Sequence, residues 1–531
     1  MSGFGARLTK VVALAGLGLA LTSSSGAAAS PAHTRILGAV PHTAQLARAP
    51  HLLSKAIRAA GPTTLTFGAA YQNVIDQYFT DIAHDSGGVS NVYSVATQYY
   101  DNPGPVHIQY QTAVGGSYVA RDPLPANGCD DGADPYCLTD KQLQDEIQNV
   151  LIATGWHGGT DHVFFLMTPN GIGSCFDAFG QCSTDTFCAY HSAFANSNNE
   201  ATIYANEPYE GPYPGCTDPT QGFPNDQDAD TTVNTISHEH NEAITDPFGD
   251  GWLGGDGASE NGDLCAYGFG TQTGTGVNAY NQLIDGHPYD LQQEYSNQDN
   301  GCIQHFGDPN ATPPKSGSGP LLYGGGQVMH TSTTYAIYWL PTARNTGRPV
   351  VTGTGVVNQT LSTSAGTWAV GGAPFSYQWQ RCSSTGTSCV DIPGATSATY
   401  ELTAADGGHV VRSTVRATNV NGVSPPAAST GTSAVVGRPA LRKAPHIFGR
   451  AKVGKKLSGS HGVWTSGPKY HYQWLRCNGQ GRSCSSIRHA THSTYRLTKH
   501  DAGHRLRFRV NAMNAAGSLL ATSAATPRVR R

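Results

Sequence analysis

Apolar residues along the first half of the chain recur with helical and strand periods in alternation. Val74, Ile75, Tyr78, Phe79 and Ile82 share one helical face, and Gly87-Gly88 ends the run. The β-branched and aromatic stretch Val92–Tyr100 predicts a strand, and Val106–Tyr118 predicts a second. Thr139-Asp140 opens a helix carrying Leu143, Ile147, Val150 and Leu151, and the unbroken run Val163–Met167 suits a strand covered on both faces. Ala201–Ala205 predicts a further strand. Asp230 caps a helix over Thr231–Thr245 that stops at Asp246-Pro247. Strands and helices interleaved in this way predict an α/β or α+β globule over residues 63–308.

After a Pro-, Gly- and Ser-rich linker at 309–320 and a segment at 321–345, the chain repeats itself over 346–437 and 438–531. Gly366-Thr367-Trp368 returns as Gly462-Val463-Trp464, and Tyr377-Gln378-Trp379-Gln380-Arg381-Cys382 as Tyr472-Gln473-Trp474-Leu475-Arg476-Cys477. Tyr400-Glu401-Leu402-Thr403 and Asn419-x-x-Gly422 return as Tyr495-Arg496-Leu497-Thr498 and Asn514-x-x-Gly517. Short strands around a pair of Trp residues in each repeat predict two all-β sandwiches in series. They resemble bacterial immunoglobulin-like repeats of secreted proteins, which space, display or adhere. The cysteine pair of each repeat would close a hairpin loop instead of bridging two sheets.

Compartment follows from the first residues and the cysteines. Arg7 and Lys10 precede the apolar run Val11–Thr22 and a small-residue stretch ending Ala27-Ala28-Ala29, the pattern of a signal peptide over 1–29. About 12 apolar residues fall short of the roughly 20 that span a bilayer, and no later stretch is longer, so no membrane span is expected. Residues 30–62 read as a linker or pro-segment. The 12 cysteines include no CxxC and include four close neighbours, so they predict disulfides Cys129–Cys137, Cys175–Cys182, Cys382–Cys389 and Cys477–Cys484. With no short loop to dictate the rest, the expected pairs are Cys188–Cys216 and Cys265–Cys302.

Charge is distributed unevenly. Between Thr63 and Asp308 lie 33 of the 37 carboxylates, with Arg121 and Lys141 the only Lys or Arg; from Arg438 onward 19 Lys or Arg face the single acid Asp501. The acidic half should attract cations, structural calcium among them. The basic repeat should attract anionic polymers such as cell-wall polysaccharide. Nucleic acid would answer the same charge, but no recognition motif accompanies it.

One segment carries chemistry: Ser237-His238-Glu239-His240-Asn241-Glu242. Positions four apart share a helix face, so His238 and Glu242 can hold one ion while Glu239 activates a water, the logic of HExxH with Glu in place of the second His. The third ligand must come from elsewhere, with Glu260 in Ser259-Glu260-Asn261-Gly262-Asp263-Leu264-Cys265 the first candidate and Asp263 the second. Imidazole with two carboxylates suits a divalent metal, zinc first, and equally admits iron, manganese or calcium. His240 lies about 200° around the helix from His238 and is left outside the ligand set.

The string Ser237-His238-Glu239-x-x-Glu242-Ala243-x-Thr245-Asp246-Pro247, then Gly251-Trp252 and Glu260-x-x-Asp263-Leu264-Cys265, resembles the signature of the phosphate-induced protein, or EXORDIUM, family and its bacterial relatives. The resemblance covers roughly Leu65 to Phe306. It implies a secreted, wall-associated protein with a metallopeptidase-like site, and it adds His191 as a further ligand or substrate-facing residue. The family begins with a strand like Thr334–Trp339, which here follows the acidic domain, so residues 321–345 are expected to fold back into its sheet as a permuted first strand. Two functions compete. One is a metal-dependent, peptidase-like hydrolase acting on a protein or peptide, with Glu239 as base; the other is a non-catalytic wall- or polysaccharide-binding protein with a structural cation.

Overall fold

In the computed structural model the described residues are the backbone of Leu37–Pro41 and residues 65–531 apart from 103, 177–180, 185, 210–214, 316, 318 and 371–373. The expected signal peptide lies outside them. Three helices organise the acidic domain. α1 (Tyr71–His84) buries Ile75, Tyr78, Phe79 and Ile82 of the expected stripe, with Tyr71 added one turn earlier and Val74 half-buried at its margin. α2 (Asp140–Thr154) starts where the Gln142 side chain accepts the Thr139 N–H at 3.0 Å, and it ends at Gly155, whose φ of 75° only glycine adopts without strain. α3 (Gln227–Thr245) begins four residues before the expected Thr231. Asp226 is its N-cap, accepting from Ala229 N–H at 3.1 Å, and Asp230 sits in the first turn, taking the N–H groups of Asn225 and Asp226.

Six strands form the central sheet: β1 (Leu37–Pro41), β2 (Thr112–Ala120), β3 (Gly159–Met167), β4 (Phe187–Ala195), β5 (Ala201–Glu207) and β6 (Ser332–Trp339). Their spatial order is β1-β4-β5-β3-β6-β2. β5, β3, β6 and β2 run parallel, while β4 and β1 add antiparallel at one side. The apolar run of β3 is covered on both faces. Val163, Phe165 and Met167 pack with α1 and α3, and Phe164 and Leu166 pack with Leu143, Ile147, Val150 and Leu151 of α2. Helices on both faces of a mostly parallel sheet make this a three-layer α/β domain. β6 fills the position between β2 and β3, pairing Thr334 with Val114 and with Val163, so the segment after the acidic domain completes its sheet.

Two small β-sandwiches follow. In the first, Val351–Gly353, Thr360–Thr363 and Thr399–Glu401 form one sheet, and β7 (Phe375–Cys382) pairs with β8 (Val410–Asn419) in the other. β9 (Lys469–Cys477) and β10 (Arg505–Asn514) repeat that pairing in the second. Trp379 packs between Leu361, Leu402 and Val411, and Trp474 between Leu457, Leu497 and Leu506. Truncating either Trp to Ala would cost about 3–5 kcal/mol. The repeated Asn419 and Asn514 are joints: Asn419 Nδ2 donates to Pro341 O and Val370 O, and Asn514 Nδ2 to Gly437 O and Ser466 O, pinning each module to the chain that enters it. All six disulfides pair as expected from sequence. Among the described residues no helix is long and apolar enough to cross a membrane.

Four sequence expectations need correction. Val92–Gln98 is a 3-10 helix and not a strand, because Asn91 accepts the Tyr93 N–H while Ser94, Thr97 and Gln98 side chains bond back to nearby carbonyls. Val106–Tyr118 is two pieces, Val106–His107 and β2. The 309–320 segment is no free linker: Thr312 exchanges backbone hydrogen bonds with Cys302, and Lys315 N–H donates to Leu264 O. Within the 30–62 segment, Leu37–Pro41 is a strand of the sheet.

Candidate metal centre

α3 is the spine of the site. Its residues from Ala229 to Thr245 are all buried, and the i, i+4 spacing brings His238 Nε2 to 2.9 Å from Glu242 Oε1. The turn Asp263–Cys265 lies beside that pair. Asp263 Oδ1 is 3.9 Å from His238 Nε2, and its backbone N–H donates to Glu242 Oε1 at 2.9 Å. A Cβ on Gly262 would come within 2.9 Å of both Glu242 Oε1 and His238 Nδ1, so glycine is what lets the turn approach this closely. The Cys265–Cys302 disulfide and the Lys315–Leu264 hydrogen bond hold the turn from behind. Gln292 Nε2, 2.8 Å from His238 Nδ1, holds the imidazole ring.

His191 enters from β4 on the other side of Glu242. Its Nε2–H donates to the Asp246 carbonyl at 3.2 Å, which turns the Nδ1 lone pair toward Glu239 Oε2 at 3.1 Å and Glu242 Oε2 at 3.9 Å. Donor atoms of His238, Glu242 and Asp263 lie within 4.8 Å of one another, as do those of His191, Glu239 and Glu242, with Glu242 common to both groups. Of the expected ligand set, therefore, His238 and Glu242 meet, and Asp263 is the loop acid that joins them. Glu260 is buried on the His191 side, its Oε1 4.0 Å from His191 Nε2. His240 faces away: its ring nitrogens lie 3.0 Å from Tyr93 Oη and 3.0 Å from Ser332 Oγ, and burial pushes its pKa down to about 3.

The electrostatics are those of a centre rich in carboxylates and poor in positive charge. Glu239 Oε1, Glu242 Oε2 and both Glu260 oxygens are buried with no hydrogen-bond partner among the described residues. Burial first, then neighbouring acids, lifts Glu239 and Glu260 well above the ordinary carboxylate range. Burial and Glu242 push Asp263 up to about 8. For His191 burial dominates and keeps the imidazole neutral, whereas for His238 Glu242 and its neighbours overcome burial and raise the pKa well above the usual value. Without an ion, the site stays close to neutral through protons on Glu239, Glu260 and His238. A divalent cation would displace such protons, since ligands bind in their deprotonated forms. The donor chemistry and the unpaired buried oxygens both fit one. Asp263, its side chain 17% exposed, is the donor nearest solvent.

Sequence reasoning did not single out Glu207, Gln292 or Glu294, which line the surroundings. Glu207 Oε2 accepts from Thr235 Oγ1, and Glu294 Oε2 from Asn261 Nδ2. Glu207 alone gave a signal, a carboxylate closing a strand whose centre, Ile203, Tyr204 and Ala205, is apolar. The open cleft bordered by Pro123, Arg344, Arg348 and Arg412 lies where the first module meets the acidic domain, away from these residues.

No protein-family model and no curated protein matches the chain. Among solved structures, the FN1–FN3 domains of chicken CNTN1 are 12% identical, over 35% of this chain and 67% of that one, with a TM-score of 0.22. Domains A168–A170 of titin are 15% identical, over 43% and 78%, at 0.20. A bacterial ice-binding adhesin is 13% identical, over 40% and 72%, at 0.19.

Proposed function

We propose that this is a secreted, cation-dependent hydrolase of the peptidase type, carried on two immunoglobulin-like modules of which the basic second one holds an anionic wall or matrix polymer. The observation that carries the reading is the convergence of donor atoms of His238, Glu242 and Asp263 within 4.8 Å, with no ion pair from Lys or Arg to these acids among the described residues. His238, Glu242 and Asp263 would hold the ion, zinc first, with Glu260 in reserve on the His191 side. The ion would supply a Lewis acid and an acidified water. Glu239 is placed to take a proton; once protonated, its O–H can donate to the His191 Nδ1 lone pair 3.1 Å away, and burial suits it to carry that proton near neutral pH. His191 stays neutral and keeps Glu239 oriented. The six disulfides support an oxidising, extracytoplasmic setting. The EXORDIUM-like signature supports the wall association, with β6 read as a permuted first strand.

Glu239→Gln tests the reading. Hydrolysis of unfolded casein should fall by about 100- to 10,000-fold while zinc content, measured by elemental analysis beside a His238→Ala control, stays the same. Complete burial of Glu239 and Glu242 favours a second reading, a structural cation in a polymer-binding protein. Under it, calcium would be recovered instead, and Glu239→Gln would leave polymer binding unchanged with no hydrolysis in either protein.

A further inference from the structure

β4 carries His191 and would be an edge of the sheet but for β1. Leu37 pairs with His191, Ala39 with Tyr190 and Pro41 with Phe187, antiparallel, so the β1 backbone lies on β4 directly opposite the His191 position. It also lies against α3 and against the turn Asp263–Cys265, the two elements that supply His238, Glu242 and Asp263. The attachment is poor for a permanent strand. Its register shifts twice within five residues, and Pro41 has no N–H to give. In the sequence, residues 42–64 lie between it and Leu65.

We infer that the β4 edge beside His191 is the binding site for an extended peptide, and that Leu37–Pro41 occupies it in cis as a self-inhibiting stand-in for that peptide. A strand edge takes any extended backbone through its row of N–H and C=O groups, which gives affinity with little demand on sequence. A peptide laid there passes the donor set as β1 does, so the substrate class is an unfolded or extended polypeptide. Residues 30–62 are then a pro-segment whose removal opens the site. The inference rests on the hydrolase reading for its substrate, though not for its binding edge.

The test uses the full chain with a recognition sequence for a specific protease inserted between residues 50 and 60, compared before and after cutting. After cutting, the segment should dissociate, hydrogen exchange of the Cys188–Ser192 amides should speed up by about tenfold or more, and a labelled peptide of residues 34–44 should rebind saturably. Casein hydrolysis should rise by about tenfold on cutting and fall again with that peptide. A fragment that stays bound, or β4 amides unchanged on its release, overturns the inference. So does measurable hydrolysis at the same rate before and after cutting, which would leave the hydrolase reading standing. Rebinding of the peptide with no hydrolysis in either form sinks the hydrolase reading and keeps the edge as a peptide-binding site.

Discussion

Asp406 in the first β-sandwich module is buried, as Glu242 is in the acidic domain, yet the two carboxylates are satisfied by different means. Arg381 bonds Asp406 Oδ1 at 2.7 Å, Tyr400 Oη donates to Oδ2 at 2.9 Å, and Thr403 N–H at 2.7 Å. The second module rebuilds the set with Arg476, Tyr495, Thr498 and Asp501. Burial alone would raise Asp406, but Thr403, Arg381 and Tyr400 outweigh it and hold the carboxyl below its ordinary value. Around Glu242 no ion pair with Lys or Arg occurs among the described residues: Arg121 donates to Asn421 O, Lys141 pairs with Asp145 on the surface, and Lys315, behind the Asp263–Cys265 turn, forms no ion pair with Glu242. A buried carboxylate with its own arginine is a finished structural element. A group of them without one keeps buried oxygens unpaired, which the proposed cation would answer.

The largest test of that contrast is removal of the outside charge. Chelation should lower the unfolding transition of the acidic domain by roughly 8–16 °C, taking about 4 kcal/mol for an ion at a thousand times its Kd and about 2–4 °C per kcal/mol for a domain of this size. The transitions of the two modules should stay where they are. Calorimetry with and without EDTA reads both, and an acidic domain indifferent to EDTA would remove the reason to contrast them.

Asp406→Ala probes the other side. Leaving Arg381 without its partner should destabilise the first module by about 3 kcal/mol, at the lower end for a broken buried pair because the guanidinium is partly exposed. Asp501→Ala should do the same in the second module, and neither loss should depend on divalent ions. Because the folded Asp406 value lies below the unfolded one, its contribution is present above about pH 4 and disappears as pH falls through the folded value. Denaturant unfolding at pH 7 and pH 3 measures both.

Much of this contrast was legible in the sequence. The i, i+4 placement of His238 and Glu242 fixes their common face as soon as the segment is helical, and the repeated Tyr, Trp, Arg and Cys positions mark the two modules. Choosing between Glu260 and Asp263 was beyond it, because a loop has no period and only the fold decides which of two acids three apart turns to His238. The Val92–Gln98 misreading has a similar origin. β-branched content argued for a strand, while Asn91, Ser94, Thr97 and Gln98 offered the backbone local partners that won.

A third way to satisfy a buried carboxylate is a proton, and burial places Glu146 on α2, away from the centre, to use it. Burial first, then Asp122, pushes its pKa up to about 8, and Glu207 reaches about 8 through burial as well. An acid whose folded value exceeds the unfolded one binds more protons when folded, so between about pH 4 and pH 8 it makes stability fall as pH rises. Glu146→Gln should therefore be neutral at pH 4 and stabilise by on the order of 2 kcal/mol at pH 9. A variant whose stability tracks the parent at every pH would show that Glu146 is not protonated in the fold.

The smallest expected effect separates local charge from total charge. Lys141 and Asp145 form an i, i+4 pair on α2 with both side chains more than half exposed. Solvent and salt screen such a pair, so Lys141→Ala should cost only about 0.3 kcal/mol, and less in high salt. The same change removes one of the only two Lys or Arg side chains in the acidic half, making its net charge more negative. If the need for a cation were a matter of overall charge, Lys141→Ala would tighten divalent-ion binding clearly; if it arises from the unpaired oxygens of Glu239, Glu242 and Glu260, the affinity should stay put. Isothermal titration of zinc into Lys141→Ala and the parent chain at low and moderate salt distinguishes the two, and unchanged affinity at both is the outcome expected of a need that is local to α3 and its neighbouring turn.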